Sequence, residues 1–324
     1  MMKNINSILV ISLSNIGDVI LTLPVAGGLR GEFPEANISI LIGRRAYPAV
    51  KDNPEFSRVI VYDKHKTLGE KFLFIKKLRR ERYDLVVDLR HSLFPLFLRS
   101  RYHSPIFAKR SKFPEHQVRK HLRSLGKFGI KPDKIRFPFY ISEGAKENIK
   151  RRFGGRINSE LIVINPTAAS HLKCWADDGF ILLAQRIQDV YNLPIAFISG
   201  REDREKCAKI SREIKGSFNL GGKLNFQELA ALLQKAKIFI TNDSGPLHLA
   251  SALGVPTLAI FGPTDPVKYG PLSPIKGVVR KNLSCSPCEL AQCPREHQCL
   301  KSLSVDEVFL KFEEIMNEAK QKKS

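Results

Sequence analysis

Apolar and polar positions follow two rhythms along this chain. Short runs of Val, Ile and Leu, such as Ile8-Leu-Val-Ile11, alternate with longer stretches whose apolar residues recur at helical spacing. The pattern predicts strands at Ser7–Leu13, Asn37–Ile42, Arg58–Tyr62, Asp84–Asp88 and Ser104–Ala108, with helices between them. It restarts with strands at Glu160–Asn165, Pro194–Ser199, Lys237–Thr241 and Thr257–Ile260. This β–α alternation implies α/β architecture with mostly parallel sheets covered on both faces. Between the two series, Gly129–Ile141 is less regular, carries Pro132 and Pro138, and begins the connection between domains. A length of 324 residues suits two domains, placed at 1–150 and 151–324. Two doubly wound, Rossmann-like domains facing across a cleft are the natural architecture. Ser304-Val-Asp-Glu307 reads as a capping box that opens a terminal helix running towards Lys320.

The most informative stretch runs from Thr241 to Gly262. A short helix is expected between two buried strands here, with Pro246 tolerated in its first turn and Gly254 at its end. Asp243, Ser244 and Gly245 then fall at a helix N-terminus, at the carboxyl end of a strand. Free backbone N–H groups and the helix dipole favour an anion such as a diphosphate there. Gly245 lets a ligand approach the backbone, and Asp243 and His248 can face it. An N-capped core helix is the alternative.

Charge changes the picture. The formal net charge is +21, of which +15 lies in residues 1–150 and +6 in the remainder. Lys64–Arg82 is the densest piece, with eight basic residues against Glu70 and Glu81, and with Phe72, Ile75 and Leu78 at roughly helical spacing. Such a basic amphipathic helix suits an anionic membrane surface or an acidic acceptor, with a solvated lysine-rich face as the plain alternative. No zinc-finger, RNP-type or helix-turn-helix signature supports nucleic acid as the partner. No apolar run reaches a bilayer span, and the first residues lead directly into a strand without a signal-peptide pattern, so a cytoplasmic location is expected.

The run from Thr241 to Gly262 closely resembles the nucleotide-sugar-binding segment of the heptosyltransferases, glycosyltransferase family 9. The opening Ile8–Pro24, with its turn Ser14-Asn-Ile-Gly17, resembles the family's first strand, glycine turn and helix, and the likeness covers nearly the whole chain. It implies a GT-B fold, with acceptor on the first domain and sugar nucleotide on the second, and a terminal helix that can cross back to the first. The implied reaction is inverting transfer of a heptose from ADP-heptose to the lipopolysaccharide inner core, with lipid A–Kdo or a heptosylated core as acceptor. It would take place at the cytoplasmic face of the inner membrane.

Asp18 follows that turn at the carboxyl end of the first strand, where open α/β sheets bind ligands. It matches the family's proposed general base; capping a helix that begins at Val19 is its alternative role. One glycine in the turn is not a dinucleotide fingerprint. The loop Asn165–Trp175 resembles the family's phosphate loop. Lys173 matches its lysine, while Ala168 and Ala169 stand where threonines are common, leaving Thr167 and Ser170 as substitutes. Trp175 reads as a packing residue. Glu202 or Asp203 matches the acidic residue that holds the ribose hydroxyls, and Leu224 the apolar contact to the base, in a loop that could equally just cap a helix. Gly17, Lys64, Lys66, His116 and Arg119 fall in segments resembling the acceptor region, where cations would meet carboxylates and phosphates.

Cys285, Cys288, Cys293 and Cys299 crowd into fifteen residues with His297 among them. Zinc or an iron–sulfur group is one reading and reduced thiols packing a loop the other. The transfer itself is expected to need no cofactor, since no Asp-x-Asp motif is present. The rivals to heptosyl transfer are the same fold with another donor or acceptor, a sugar-nucleotide epimerase, and a non-catalytic nucleotide-sugar or membrane-binding protein.

Overall fold

A computed structural model describes residues 2, 4–106, 113–132, 134–154 and 160–322, and the chain divides into two compact units, Met1–Tyr140 and Ile141–Ser324. The first unit holds β1 (Ser7–Ile11), β2 (Asn37–Gly43), β3 (Arg58–Tyr62), β4 (Leu85–Asp88) and β5 (Tyr102–His103). All five are parallel, in the order β3-β2-β1-β4-β5. Winding therefore reverses between β1 and β4. The helices Leu68–Arg80 and Phe94–Leu98 cover one face, where Leu9, Ile11, Ile60, Leu78, Val86 and Leu98 form a common core. Helix Ile16–Glu32 packs with Gln117–Arg123. A Cβ on Gly27 or Gly28 would come within 2.8 Å of Arg136 or Pro132, so these glycines let the connecting segment lie directly on the helix.

The second unit holds β6 (Leu161–Asn165), β7 (Ile195–Phe197), β8 (Phe218–Asn219), β9 (Ala236–Asn242), β10 (Thr257–Ile260) and β11 (Lys276–Val279). They too are parallel, in the order β11-β10-β9-β6-β7-β8, and the winding reverses between β6 and β9. The helices Asp177–Tyr191 and Val305–Gln321 share this sheet's main apolar core, to which Trp175, Phe180, Phe197, Phe309 and Phe312 belong.

Three expectations need correction. The boundary between units falls at Tyr140/Ile141 rather than at residue 150. The reason is helix Glu143–Phe153, which packs on Phe226–Lys235 of the second unit, with Asn148 donating to Glu228 at 3.2 Å. The terminal helix buries Val308, Phe309, Phe312, Ile315 and Met316 in the second unit's core. β5 is Tyr102–His103, ahead of the expected Ser104–Ala108, of which Phe107 and Ala108 lie outside the described residues. Finally, β8 and β11 were not anticipated. The first has two residues, and the second is four residues with a glycine among them, too short for a periodicity.

Candidate active site

Ligands of doubly wound sheets bind beyond the carboxyl ends of the strands, where the winding reverses. In the second unit that place lies beyond β6 and β9, and the side chains there are bonded to one another. Asn165, at the end of β6 and 2% exposed, donates from Nδ2 to Thr241 Oγ1 at 3.2 Å and to Ser244 Oγ at 3.1 Å. Its Oδ1 accepts from Thr167 Oγ1 at 2.9 Å. One buried amide thus ties the expected phosphate loop to the strand and helix end it must face. Lys173, from the same loop, places Nζ 2.7 Å from the carboxylate of Asp243, which is buried.

Ser244 is the N-cap of helix Gly245–Ala252, but its side chain makes no capping bond, because its hydroxyl is engaged by Asn165 and Thr241. The helix end is therefore not covered by its own cap. Pro246 occupies its first turn, and a Cβ on Gly245 would meet nothing within 4 Å. His248 is buried one turn further on. Two buried polar atoms at this edge, Asn242 Nδ2 and Thr264 Oγ1, have no hydrogen-bond partner among the described residues. Buried groups of this kind are normally satisfied. Asn242 accepts the backbone N–H of Trp175 at 3.0 Å through Oδ1. Trp175 itself is 1% exposed and donates its indole N–H to Leu303 O, which makes it a packing residue.

Other expected contacts lie further along the same edge. Ser170 is an N-cap whose Oγ accepts from Leu172 N, leaving its O–H as a donor. Glu202 is exposed and Asp203 half-buried in the loop after β7. That loop lies against the one after β8, since Gly222 N donates to Ser199 O and a Cβ on Gly222 would sit 3.2 Å from Arg201 Cα. Leu224, half-buried, is thereby on the loop beside Glu202 and Asp203. Asn225 caps the next helix in a capping box with Glu228, so this loop does have a capping role.

In the first unit the corresponding place lies beyond β1 and β4. The helix after β1 begins at Ile16 with Asn15 as N-cap, three residues earlier than a capping role for Asp18 requires. Gly17 and Asp18 lie in its first turn, half-buried, and the Asp18 carboxylate accepts from Asn15 Nδ2 at 3.0 Å. The loop is pressed onto β2, since a Cβ on Gly43 would fall 2.7 Å from Ser14. The loop after β4 is organised by Asp88, wholly buried, which accepts from Arg90 N, Ser92 N and Ser92 Oγ at 2.9, 2.8 and 2.6 Å. Arg90 stacks over Tyr62 at 5.7 Å, and its Nη1 is buried without an acceptor among the described residues. Sequence reasoning missed Arg90; its position two residues beyond a strand's carboxyl end was the available signal.

Of the expected acceptor residues, His116 caps helix Gln117–Arg123, its Nδ1 accepting from Val118 N at 3.2 Å. Arg119 is exposed on that helix. Lys64 and Lys66 are exposed beyond β3, which β2 separates from β1, and Lys66 lies 3.6 Å from Glu70.

The four clustered cysteines are free thiols lining one small cavity with His297. Burial, with the neighbouring thiols of Cys293, Cys288 and Cys285 adding to it, pushes the Cys299 thiol up. Among the described residues no group of three or more His, Cys, Asp or Glu side chains is placed to hold a metal ion.

Residues 99–298 match the family model of glycosyltransferase family 9 (heptosyltransferase). The chain belongs to this family. Among curated members, it is 28% identical to lipopolysaccharide heptosyltransferase 3 of Escherichia coli K12 over 79% of this chain and 82% of that one. It is 27% identical to lipooligosaccharide heptosyltransferase 2 of Campylobacter jejuni over 91% and 93%. The fold is that of a family 9 glycosyltransferase from Veillonella parvula, with a TM-score of 0.83 at 22% identity over 98% and 99% of the two chains. An Escherichia coli heptosyltransferase solved with ADP-2-deoxy-2-fluoro heptose aligns with a TM-score of 0.71 at 18% identity over 95% and 99%. As a family 9 glycosyltransferase with two Rossmann-like units, the protein has the GT-B fold.

Proposed function

We propose that this glycosyltransferase moves a heptose from ADP-heptose to the lipopolysaccharide inner core, on lipid A–Kdo or a heptosylated core, at the cytoplasmic face of the inner membrane. The observation that carries the donor half is the junction of Lys173 with Asp243, beside a helix end whose cap is engaged elsewhere. Asp243 holds the ammonium at the carboxyl edge, and the diphosphate lies against that ammonium and the N–H groups of the helix beginning at Gly245. Glu202 or Asp203 takes the ribose hydroxyls and Leu224 the base.

Asp18 is the general base. It takes the proton of the acceptor hydroxyl as that oxygen attacks the anomeric carbon. The bond from that carbon to the diphosphate oxygen breaks on the opposite face, which inverts the configuration, and the charge gathering on ADP is met by Lys173. Arg90, with a buried nitrogen lacking an acceptor, suits a carboxylate or phosphate of the acceptor, with Arg119, Lys64 and Lys66 as outlying cations. The nearness of curated heptosyltransferases of lipopolysaccharide and lipooligosaccharide supports this choice of substrates.

The test is ADP release from ADP-heptose, measured with lipid A–Kdo, with heptosylated core and with no acceptor. Transfer to one of the acceptors is expected. Turnover only with UDP- or GDP-sugars would overturn the donor assignment, and consumption of donor without acceptor would favour an epimerase.

A further inference from the structure

The first unit carries a surface that neither half of the proposed site uses. Helix Leu68–Arg80 opens with a capping box at Thr67 and Glu70, and buries only Leu78 completely. Its outer stripe, residues 68, 72, 76 and 79, changes character along its length. Leu68 and Phe72 come first, with Leu73 beside them, and Lys76, Arg79 and Arg80 follow. Phe72 and Leu73 are 67% and 63% exposed, an arrangement that isolated surface leucines do not need but a partner face does. The neighbouring helix, Phe94–Leu98, repeats the plan. Leu96 and Phe97 are more than half or half exposed, and Arg99 follows as its C-cap. The two helices are in contact, so their exposed apolar residues belong to one side of the molecule.

The basic ends of both helices meet in an open groove of about 790 Å³ lined by Lys76, Arg79, Arg80, Arg82, Arg99 and Arg101. Asp84 is its one carboxylate among the lining residues, and it is occupied by the backbone N–H groups of Asn6 and Ser7 at 2.9 and 3.0 Å. Among the described residues none of Lys76, Arg79, Arg80, Arg82 and Arg99 has an ion-pair partner. Arg82 and Arg99 have φ of 49° and 51°, so two of the cations stand on left-handed backbone. A surface made only for solubility would intersperse acids with such bases.

We infer that this face docks on an anionic phospholipid bilayer, with Leu68, Phe72, Leu73, Leu96 and Phe97 entering the interface and the six-cation groove taking phosphate headgroups. Charge complementarity selects the occupant: unpaired cations call for a polyanion, and adjoining exposed aromatic and aliphatic side chains call for an apolar layer beneath it. Nucleic acid offers the first without the second. The orientation follows from the topology. In parallel β–α–β connections the helix starts at the carboxyl edge of one strand and runs back to the amino edge of the next. The apolar starts of both helices therefore lie towards the edge that carries Asp18, and the cations towards the other. A bilayer seated here lies alongside the edge where a lipid-borne acceptor has to present its sugar.

The test uses the full chain and vesicles of phosphatidylcholine with or without about one quarter phosphatidylglycerol, without donor or acceptor, so its result is independent of the transfer assay. Flotation with the anionic vesicles alone is expected. Changing Lys76, Arg79, Arg80 and Arg99 to Gln should weaken partitioning by roughly five-fold for each cation removed. Changing Phe72, Leu73 and Phe97 to Ser should abolish the binding that survives high salt, because screening removes only the electrostatic part. A Phe72→Trp variant adds a second reading that does not depend on sedimentation: its emission should shift to the blue on anionic vesicles. Equal flotation of wild type and the Gln variant, or unmoved emission from the Phe72→Trp variant beside intact flotation, would overturn the inference. So would tight binding of single-stranded RNA by a chain that ignores the vesicles. Thermal melts of each variant separate loss of the surface from loss of the fold.

Discussion

Lys173 and Asp243 form an ion pair of 2.7 Å that joins the loop after β6 to the loop after β9, although seventy residues separate them in the chain. The carboxylate is 6% exposed and the ammonium 33%. Removing the lysine strands a buried negative charge in the proposed donor site. Lys173→Ala should therefore weaken ADP binding by at least ten-fold, a loss of about 1.4 kcal/mol or more. Asp243→Ala should weaken it too, by leaving the ammonium without its anchor. Calorimetric titration of ADP checks both, and unchanged affinity in either variant would remove the pair from the donor site.

Asp18→Asn should abolish transfer, lowering kcat by about 10²–10⁴-fold while ADP affinity stays within a factor of two, since the base acts on the nucleophile and not on the donor. The carboxamide keeps a partner for Asn15, so the helix should survive. A variant that retains most of its kcat would show that another group takes the proton.

Asn165 makes three side-chain hydrogen bonds with Thr241, Ser244 and Thr167, all of them buried. Asn165→Ala takes a donor from Thr241 and Ser244 and an acceptor from Thr167, while Ser244 stays bonded to Thr241. A loss of stability of about 2–3 kcal/mol is expected, together with weaker ADP binding, because the loop after β6 loses its tie to the strand and helix end that the proposed donor site uses. Chemical denaturation and titration of the same sample measure the two effects.

Burial pushes the imidazole of His121 down to about 4 from its ordinary 6.5, with Lys120, His91 and His116 adding to the shift. Between these values the unfolded chain binds a proton that the folded one refuses. The stability tied to a neutral His121 is thus intact above pH 6.5 and drains away as pH falls towards 4. It should amount to something on the order of 2–3 kcal/mol across that window. Denaturation series at several pH values should show this slope in the wild type and a flatter one in His121→Gln.

The helix end at Ser244 and Gly245 was legible because proline and glycine bracket it, and those residues act through local backbone geometry alone. Asp18 was legible as a residue just past a strand, but its place in the helix was not, because Asn15 starts that helix without a side-chain capping bond. What the sequence could not show were relationships across the sheet. That Asn165 reaches Thr241 and Ser244, and that Arg90 has a buried nitrogen to satisfy, depend on which loops the strand order brings together. The charge of Lys64–Arg82 was plain from composition. Its division into an apolar start and a basic end, completed by Arg99 and Arg101, needed the neighbouring helix.

Trp175 is the one tryptophan of the chain, and it sits wholly inside the second unit, held at its backbone by Asn242 and at its ring by Leu303. The molecule therefore carries a native fluorescent label on one half only. Its emission follows the melting of the second unit and is blind to the other, while backbone circular dichroism sums both. Any gap between the two transition midpoints would measure directly how far the halves unfold as separate bodies, with no label or truncation introduced.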